Sequence, residues 1–346
     1  MSLQARVARS LEAGRGGVVS TLAARAWDEV ATSRLVKPLS FRDDAKLIAI
    51  GGSTLGGSGK TPLAIACAQE LARLGERVAL VGHAYRANPG RARVVSVEDD
   101  VDIVGDEALV CARALASSGA LVVVGPTRQS ALDQALDLAR IAVLDGVAQL
   151  RPTRAHLSLL ALDATHPWGS GACPPCGDLR ASQRSLLAVC DRIVRVGPAS
   201  PRADVADQAV RRVDGAWLGA TRLGWDVLRT RRVGLWTALA RPDRVLATLT
   251  AEQVIPALVV AHGDHLSSSP RETASVLREA RRVGIDLWLT TAKCATRLPA
   301  ELGGVPVATL NYSLLLEESL QEALRRAVSS TGSTARTPLT DRRSPL

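Results

Sequence analysis

The chain has 346 residues, 47% of them hydrophobic, which is enough for two domains with a sizeable core and excludes an intrinsically disordered protein. Its net charge of +9 is carried by 39 arginines and only four lysines (Lys37, Lys46, Lys60 and Lys293), and it predicts an acidic partner: nucleic acid, nucleotide or an anionic membrane surface. Aromatic residues make up 3%, too few for the stacking platforms of nucleic-acid modules, so nucleic acid is set aside as a partner.

At the N-terminus Leu3, Val7 and Leu11 are spaced by four, with Arg6 and Arg9 between them. A second segment carries Val19, Leu22, Ala23, Trp27 and Val30 at helical spacing, with Arg25, Arg34 and Lys37 on or near it. A basic amphipathic segment with Trp suits a membrane interface or an ordinary helix packed on its domain, and the spacing leaves both readings open. No apolar run approaches the roughly 20 residues of a transmembrane helix.

Leu47-Ile48-Ala49-Ile50 predicts a buried strand, and Leu63–Ala68 has helix-forming composition. Between them stands Thr54-Leu55-Gly56-Gly57-Ser58-Gly59-Lys60-Thr61-Pro62, the layout of a phosphate-binding P-loop. Glycines let backbone N–H groups curl around an anion, and the helix N-terminus adds partial positive charge. The motif assigns nucleotide binding to Thr54, Gly56, Gly57, Ser58, Gly59, Lys60 and Thr61. Lys60 reaches the β- and γ-phosphates, and the Thr61 hydroxyl serves Mg²⁺. One position departs from the usual pattern: Thr54 stands where a glycine is expected. A plain Gly/Ser loop is the alternative, but it leaves the placement of Lys60 and Thr61 unexplained.

Further apolar runs fall at 78–82, 121–124, 140–144 and 157–162, with helical stretches at 62–74, 106–117 and 128–139. This alternation predicts an α/β fold: a mostly parallel, P-loop NTPase-like sheet with helices on both faces, binding ligands beyond the carboxyl ends of its strands. Residues 164–180 are rich in Gly and Pro and predict a long loop. A second alternating set follows, with strands at 232–235, 254–260, 287–290 and 305–309 and helices at 239–250, 271–282 and 313–328. The expected organisation is a basic segment over 1–40, a P-loop domain over 41–195, a smaller α/β domain over 196–328 and a disordered tail over 329–346.

Six cysteines are scattered along the chain, and no secretory leader is read at its start, which predicts reduced thiols. Cys173-Pro174-Pro175-Cys176 has redox or metal-ligand spacing, but a structural zinc site needs two more ligands and no second close pair exists.

Further motifs, in order, resemble one family, the tetraacyldisaccharide 4′-kinases of lipid A biosynthesis. Its P-loop pattern accounts for Thr54 and Pro62. Gly105-Asp106-Glu107 and Asp145-Gly146 match two further steps, and Asp163, Gly169, Gly171 and Pro175–Arg180 match a glycine-containing loop ending in Leu-Arg. Distally, Asp264-His265 and Thr291-Ala292-Lys293 also match. The matches run from about residue 45 to 300. There are departures: Gly82-His83-Ala84-Tyr85 keeps only the tyrosine of Ser-Arg-Gly-Tyr. Leu144–Gln149 loses one of two acidic residues, and Ala292 and Cys294 replace the Glu and Asp flanking the late lysine.

The resemblance implies transfer of the ATP γ-phosphate to the 4′-hydroxyl of an acylated glucosamine disaccharide 1-phosphate. It implies Asp106 as acceptor of the sugar hydroxyl proton, oriented by His265, with Lys60 on the phosphates. Mg²⁺ is assigned to Thr61 and Asp145, and the substrate to Tyr85 and Arg180. It further implies a peripheral enzyme on the cytoplasmic face of the inner membrane, docked on an anionic lipid surface with no obligate protein partner. Three alternatives stay open: a metallochaperone-type NTPase using Cys173 and Cys176, a relaxed nucleotide-binding paralogue, and a soluble small-molecule kinase.

Overall fold

A computed structural model describes residues 18–82, 84, 87–199, 206–238, 242–261 and 270–329. The Leu3–Leu11 segment, His83, Tyr85, Asp264, His265 and the tail beyond Ser329 lie outside the described residues. The described residues divide into two compact units, one within 18–211 and 314–329, the other within 212–313. The expected boundary at 195/196 falls inside a strand, Arg192–Gly197, and Asp207–Val210 pair with that strand, so the first unit runs on to residue 211. The terminal helix Glu318–Ser329 follows the distal strands in sequence, yet its Leu320, Leu324 and Val328 are buried in the core of the first unit.

The first unit is built on strands β1 (Val36–Pro38), β2 (Lys46–Gly52), β3 (Val78–Val81), β4 (Arg93–Val94), β5 (Leu121–Val124), β6 (Ile141–Asp145), β7 (Gln149–Arg151), β8 (Leu157–Asp163) and β9 (Arg192–Gly197). Its main sheet runs in the order β4-β5-β3-β6-β2-β8-β9, and every pairing is parallel except β4 with β5. β1 and β7 form a separate parallel pair. The helices are α1 (Val18–Leu35), α2 (Lys60–Arg73), α3 (Val101–Val104), α4 (Asp106–Leu115), α5 (Arg128–Leu138) and α6 (Gln183–Val189).

All seven residues of β2 are buried, as a parallel strand covered on both faces requires. The period of two sorts them. Ile48 and Ile50 pack with Leu63, Leu71 and Leu109 on one face, while Leu47 and Ala49 pack with Leu132 and Leu136 on the other. Each fully buried Leu or Ile of this kind contributes roughly 1.5–3 kcal/mol. His156 accepts the Leu47 N–H through Nδ1 at 3.2 Å, a structural role for one of the five histidines.

The distal unit holds β12 (Val233–Thr237), β13 (Leu258–Ala261) and β14 (Leu287–Thr291), with β16 (Val305–Leu316) joining it up to residue 313. The order is β13-β12-β14-β16, with parallel pairings. β10 (Asp207–Leu218) pairs in parallel with β9 over Asp207–Val210, within the first unit, and its Ala216–Leu218 pair antiparallel with β11 (Thr221–Leu223); β15 (Glu301–Leu302) pairs with β16. Helices α7 (Trp225–Arg229), α8 (Asp243–Ala251) and α9 (Pro270–Val283) pack beside these strands, and α10 (Glu318–Ser329) closes the described chain. Trp236 and Trp288 meet edge to face at 5.6 Å in one of its two core clusters.

Three of the differences from expectation have a direct physical reason. The strand expected over 254–260 begins only at Leu258, because Gln253 turns with φ 60° and Pro256 lacks the N–H a ladder needs. The helix expected from 313 begins at Glu318, since Ser313–Leu316 extend β16. The strand Asp207–Leu218 falls where a boundary was expected; its polar alternating face hid it from a search for apolar runs. No helix among the described residues is long and apolar enough to cross a membrane.

Candidate active site

The loop between β2 and α2 is clamped at its base. Ser53 donates its N–H to Ala161 O (3.1 Å), Arg180 N–H donates to Ser53 O (2.9 Å) and Leu55 N–H donates to Asp178 O (2.9 Å). Thr54 bridges Leu179, is buried, and donates its hydroxyl to Gly56 O at 2.6 Å. The threonine that departs from the usual P-loop pattern therefore ties the neck of the loop through its own side chain.

Gly57 and Gly59 stand at φ 75° and 85°, in the left-handed region. Gly59 is the N-cap of α2, and no side chain caps that helix. Its first N–H groups are thus available to an anion, which the helix N-terminus favours. A methyl at Gly59 would lie 2.7 Å from Val196 Cγ1. Gly59→Ala is therefore expected to combine roughly 1–2 kcal/mol of left-handed backbone penalty with 1–3 kcal/mol of overpacking. A lowered thermal midpoint and weaker ATP binding, read by differential scanning fluorimetry with and without ATP, are the expected results.

At the end of β6, directly across from Ile50, Asp145 is 3% exposed. Thr61 Oγ1 donates to its Oδ2 at 2.7 Å, and its Oδ1 is buried without a hydrogen-bond partner. A hydroxyl and a carboxylate side by side, with a carboxylate oxygen left over, form a hard-oxygen pair suited to a divalent cation that keeps most of its waters. The residues assigned to the metal from sequence are thus brought together. Gly146 follows at φ 77°; a methyl there would lie 3.2 Å from Arg128 Nη2 and 3.9 Å from Lys60 Cε.

Arg128 was not singled out from sequence. It opens α5 after Val124-Gly125-Pro126-Thr127, with Thr127 and Ser130 forming a reciprocal cap. Its Nη1 is buried without a partner, as is the Nε of Arg180. Burial pulls the pKa of Arg128 below the usual arginine value; Asp145 opposes this and Arg180 adds to it. For Arg180 burial also lowers the pKa, against Asp145. Lys37, on β1, is lowered by burial and then by Arg128, Arg180 and Arg34. Arg128 and Arg180 thus share Asp145 while repelling each other, and both repel Lys37, an arrangement that a bound anion would relieve. The missed signal was positional: strand, Gly-Pro, cap residue and arginine at the carboxyl end of a parallel strand. A cavity of about 110 Å³ opens beside Arg128, lined by Gly82, Asn88, Gly125, Pro126 and Thr127 among others.

Asp106 is 4% exposed at the first position of α4, and its Oδ1 accepts the Glu107 N–H at 2.8 Å. An acid at a helix start is favoured by the helix dipole, and its assigned partner His265 lies outside the described residues, as does Tyr85. Gln149 is buried and structural: Oε1 accepts Leu150 and Ala155 N–H, and Nε2 donates to Val189 O. Cys173 and Cys176 are buried free thiols in a turn, and among the described residues no three His, Cys, Asp or Glu gather around a metal position.

A family model described as tetraacyldisaccharide-1-P 4′-kinase matches residues 20–329. A tetraacyldisaccharide 4′-kinase from Anaeromyxobacter sp. (strain K) is 33% identical over 308 residues, covering 82% of this chain and 80% of its own length. One from Geobacter metallireducens is 31% identical over 300 residues, covering 82% and 88%. The crystal structure of LpxK from Aquifex aeolicus in complex with ATP superposes with a TM-score of 0.66 at 19% identity, covering 89% of this chain and 98% of that one. That likeness speaks for the fold.

Proposed function

Because the chain belongs to the tetraacyldisaccharide-1-P 4′-kinase family, we propose that it transfers the γ-phosphate of ATP to the 4′-hydroxyl of a tetraacylated glucosamine disaccharide 1-phosphate, forming lipid IVA. The observation that carries the site reading is the Thr61–Asp145 pair beneath an uncapped, glycine-turned helix N-terminus. Backbone N–H groups of 56–60 and Lys60 hold the β- and γ-phosphates. Thr61 and Asp145 would hold Mg²⁺, which neutralises phosphate charge when bound. Arg128 and Arg180 face the transferring phosphoryl group and stabilise charge that spreads over its equatorial oxygens. Asp106 accepts the hydroxyl proton, with His265 as its assigned orienting partner.

The acceptor's acyl chains keep it in a lipid surface, and α1 offers a contact for one. Leu22 and Val30 are 59% and 54% exposed on the same helix as exposed Arg25 and Arg34. Apolar groups flanked by arginine suit an anionic bilayer, here the cytoplasmic face of the inner membrane. The opposite side of α1 packs Ala31 and Leu35 against Leu186 and Val189, as in an ordinary helix packed on its domain. The paired variant Leu22→Glu/Val30→Glu is expected to cut co-sedimentation with vesicles containing phosphatidylglycerol by about tenfold, since burying two charges in an interface opposes binding. Undiminished co-sedimentation would place the lipid contact elsewhere.

The test of function is Mg²⁺-dependent transfer of label from [γ-³²P]ATP to a tetraacylated disaccharide 1-phosphate in mixed micelles. Asp106→Ala is expected to lower kcat by about 10²-fold or more, the usual worth of a general base, with ATP affinity unchanged. No label from folded, ATP-binding protein would reject this acceptor.

A further inference from the structure

We propose that Trp27 and Asp28, on helix α1, are positioning residues for Arg180. The inference rests on the reading of Arg180 as a phosphoryl-facing group and adds what holds it there. The Arg180 side chain does little to fix itself, since its buried Nε has no partner. The hydrogen bonds that anchor this residue are made by its backbone.

That backbone is held from two sides. On the side of the P-loop, Arg180 N–H donates to Ser53 O at 2.9 Å and Leu179 bridges Thr54. On the other side, Trp27 Nε1 donates to Arg180 O at 3.3 Å, and Asp28 Oδ1 accepts the N–H of Ser182 at 2.6 Å. The second bond has an ionised acceptor, which makes it roughly twice as strong as a neutral one. Thr32 extends the attachment, its hydroxyl lying 3.3 Å from Asp28 Oδ1 and 3.0 Å from Ser185 Oγ. The segment 178–182 is therefore a strap between the phosphate loop and α1, and the guanidinium it carries feels Asp145. Loosening the α1 side leaves the pairing with Ser53 and Thr54 in place but frees the far side of the strap. The consequence is a misplaced guanidinium in an intact fold, and misplacement by about 1 Å can cost about 10²-fold in rate. The helix with exposed Leu22 and Val30 is thus one hydrogen bond from the backbone of the arginine.

The experiment is a double-mutant cycle on kcat for lipid phosphorylation, paired with amide hydrogen exchange in the full chain. Asp28→Ala is expected to lower kcat about tenfold with KM for ATP within twofold, part of the loss that full misplacement brings. Asp28→Asn keeps an oxygen acceptor and is expected to recover most of the rate. Trp27→Phe keeps the ring, loses the donor, and is expected to cost about threefold, the scale of one neutral hydrogen bond. In an Arg180→Ala background the Asp28→Ala effect is expected to disappear, which a merely structural role would not produce. Faster exchange at residues 179–182 in Asp28→Ala, with exchange elsewhere unchanged, is expected whether or not the preparation phosphorylates lipid. Absence of label from the parent would thus count against the acceptor assignment, while exchange still decides the positioning. An undiminished Asp28→Ala effect in the Arg180→Ala background, or unchanged exchange at 179–182, would overturn the proposal.

Discussion

Arg128→Ala is expected to lower kcat by about 10³-fold while ATP affinity changes by less than about threefold, since a cation aimed at the transferring phosphoryl group acts chiefly in the transition state. The side chain reaches the point where Lys60 ends: both lie within 4 Å of the position a methyl would take at Gly146. Its Nη1 has no partner, so removing it breaks no hydrogen bond there, and what is lost is the attraction to Asp145. Its neighbours Arg180 and Lys37 are also cationic, so relief of repulsion offsets some of the lost packing. The thermal midpoint should therefore move little, and the loss should fall on catalysis. Arg128→Lys keeps the charge without the planar fork and should lie between the two. Single-turnover label transfer with isothermal titration of ATP separates the terms. A tenfold or smaller fall in kcat would make Arg128 a structural cation.

Asp145→Asn is expected to lower kcat by about 10²–10³-fold, the scale of one lost electrostatic contact to developing charge, and to shift the Mg²⁺ titration midpoint upward. The substitution keeps the volume and an oxygen able to accept the 2.7 Å bond from Thr61. What it removes is the charge. The unpaired Oδ1 is the atom a cation would take, and an amide offers a far weaker ligand there. Asp145 is also the carboxylate that offsets the effect of burial on both Arg128 and Arg180. Without it the cationic cluster is less compensated, so the apo protein should melt lower, and added ATP should recover more of the midpoint than in the parent. A Mg²⁺ response identical to that of the parent would remove Asp145 from the metal site.

The P-loop was legible in the sequence because its function is written in backbone conformation. Gly57 and Gly59 must take positive φ, and Lys60 and Thr61 must follow at fixed steps, so spacing alone carries the meaning. The buried parallel strands were legible for a similar reason: β2, β6 and β8 are apolar on both faces and stand out as runs. Asp145 was placed correctly at a strand end because the run stops there. Family motifs then ordered Asp106, Arg180 and His265 along the chain, though order says nothing of what each side chain meets.

Tertiary structure alone decided the rest. Arg128 belongs to no motif noticed in the sequence; it matters because the sheet order sets β5 and β6 on either side of β3, so that the helix start after β5 faces the end of β6. Lys37 enters only because β1 pairs with β7, far along the chain. The attachment of Trp27 and Asp28 to residues 180 and 182 spans about 150 positions, and periodicity within α1 could not reveal it. Local sequence determined the loop proposed to grip the phosphate, since such a grip is made by consecutive backbone N–H groups. Which cations surround it depends on strands and helices brought together by burial, and contacts between distant residues leave no local pattern to read.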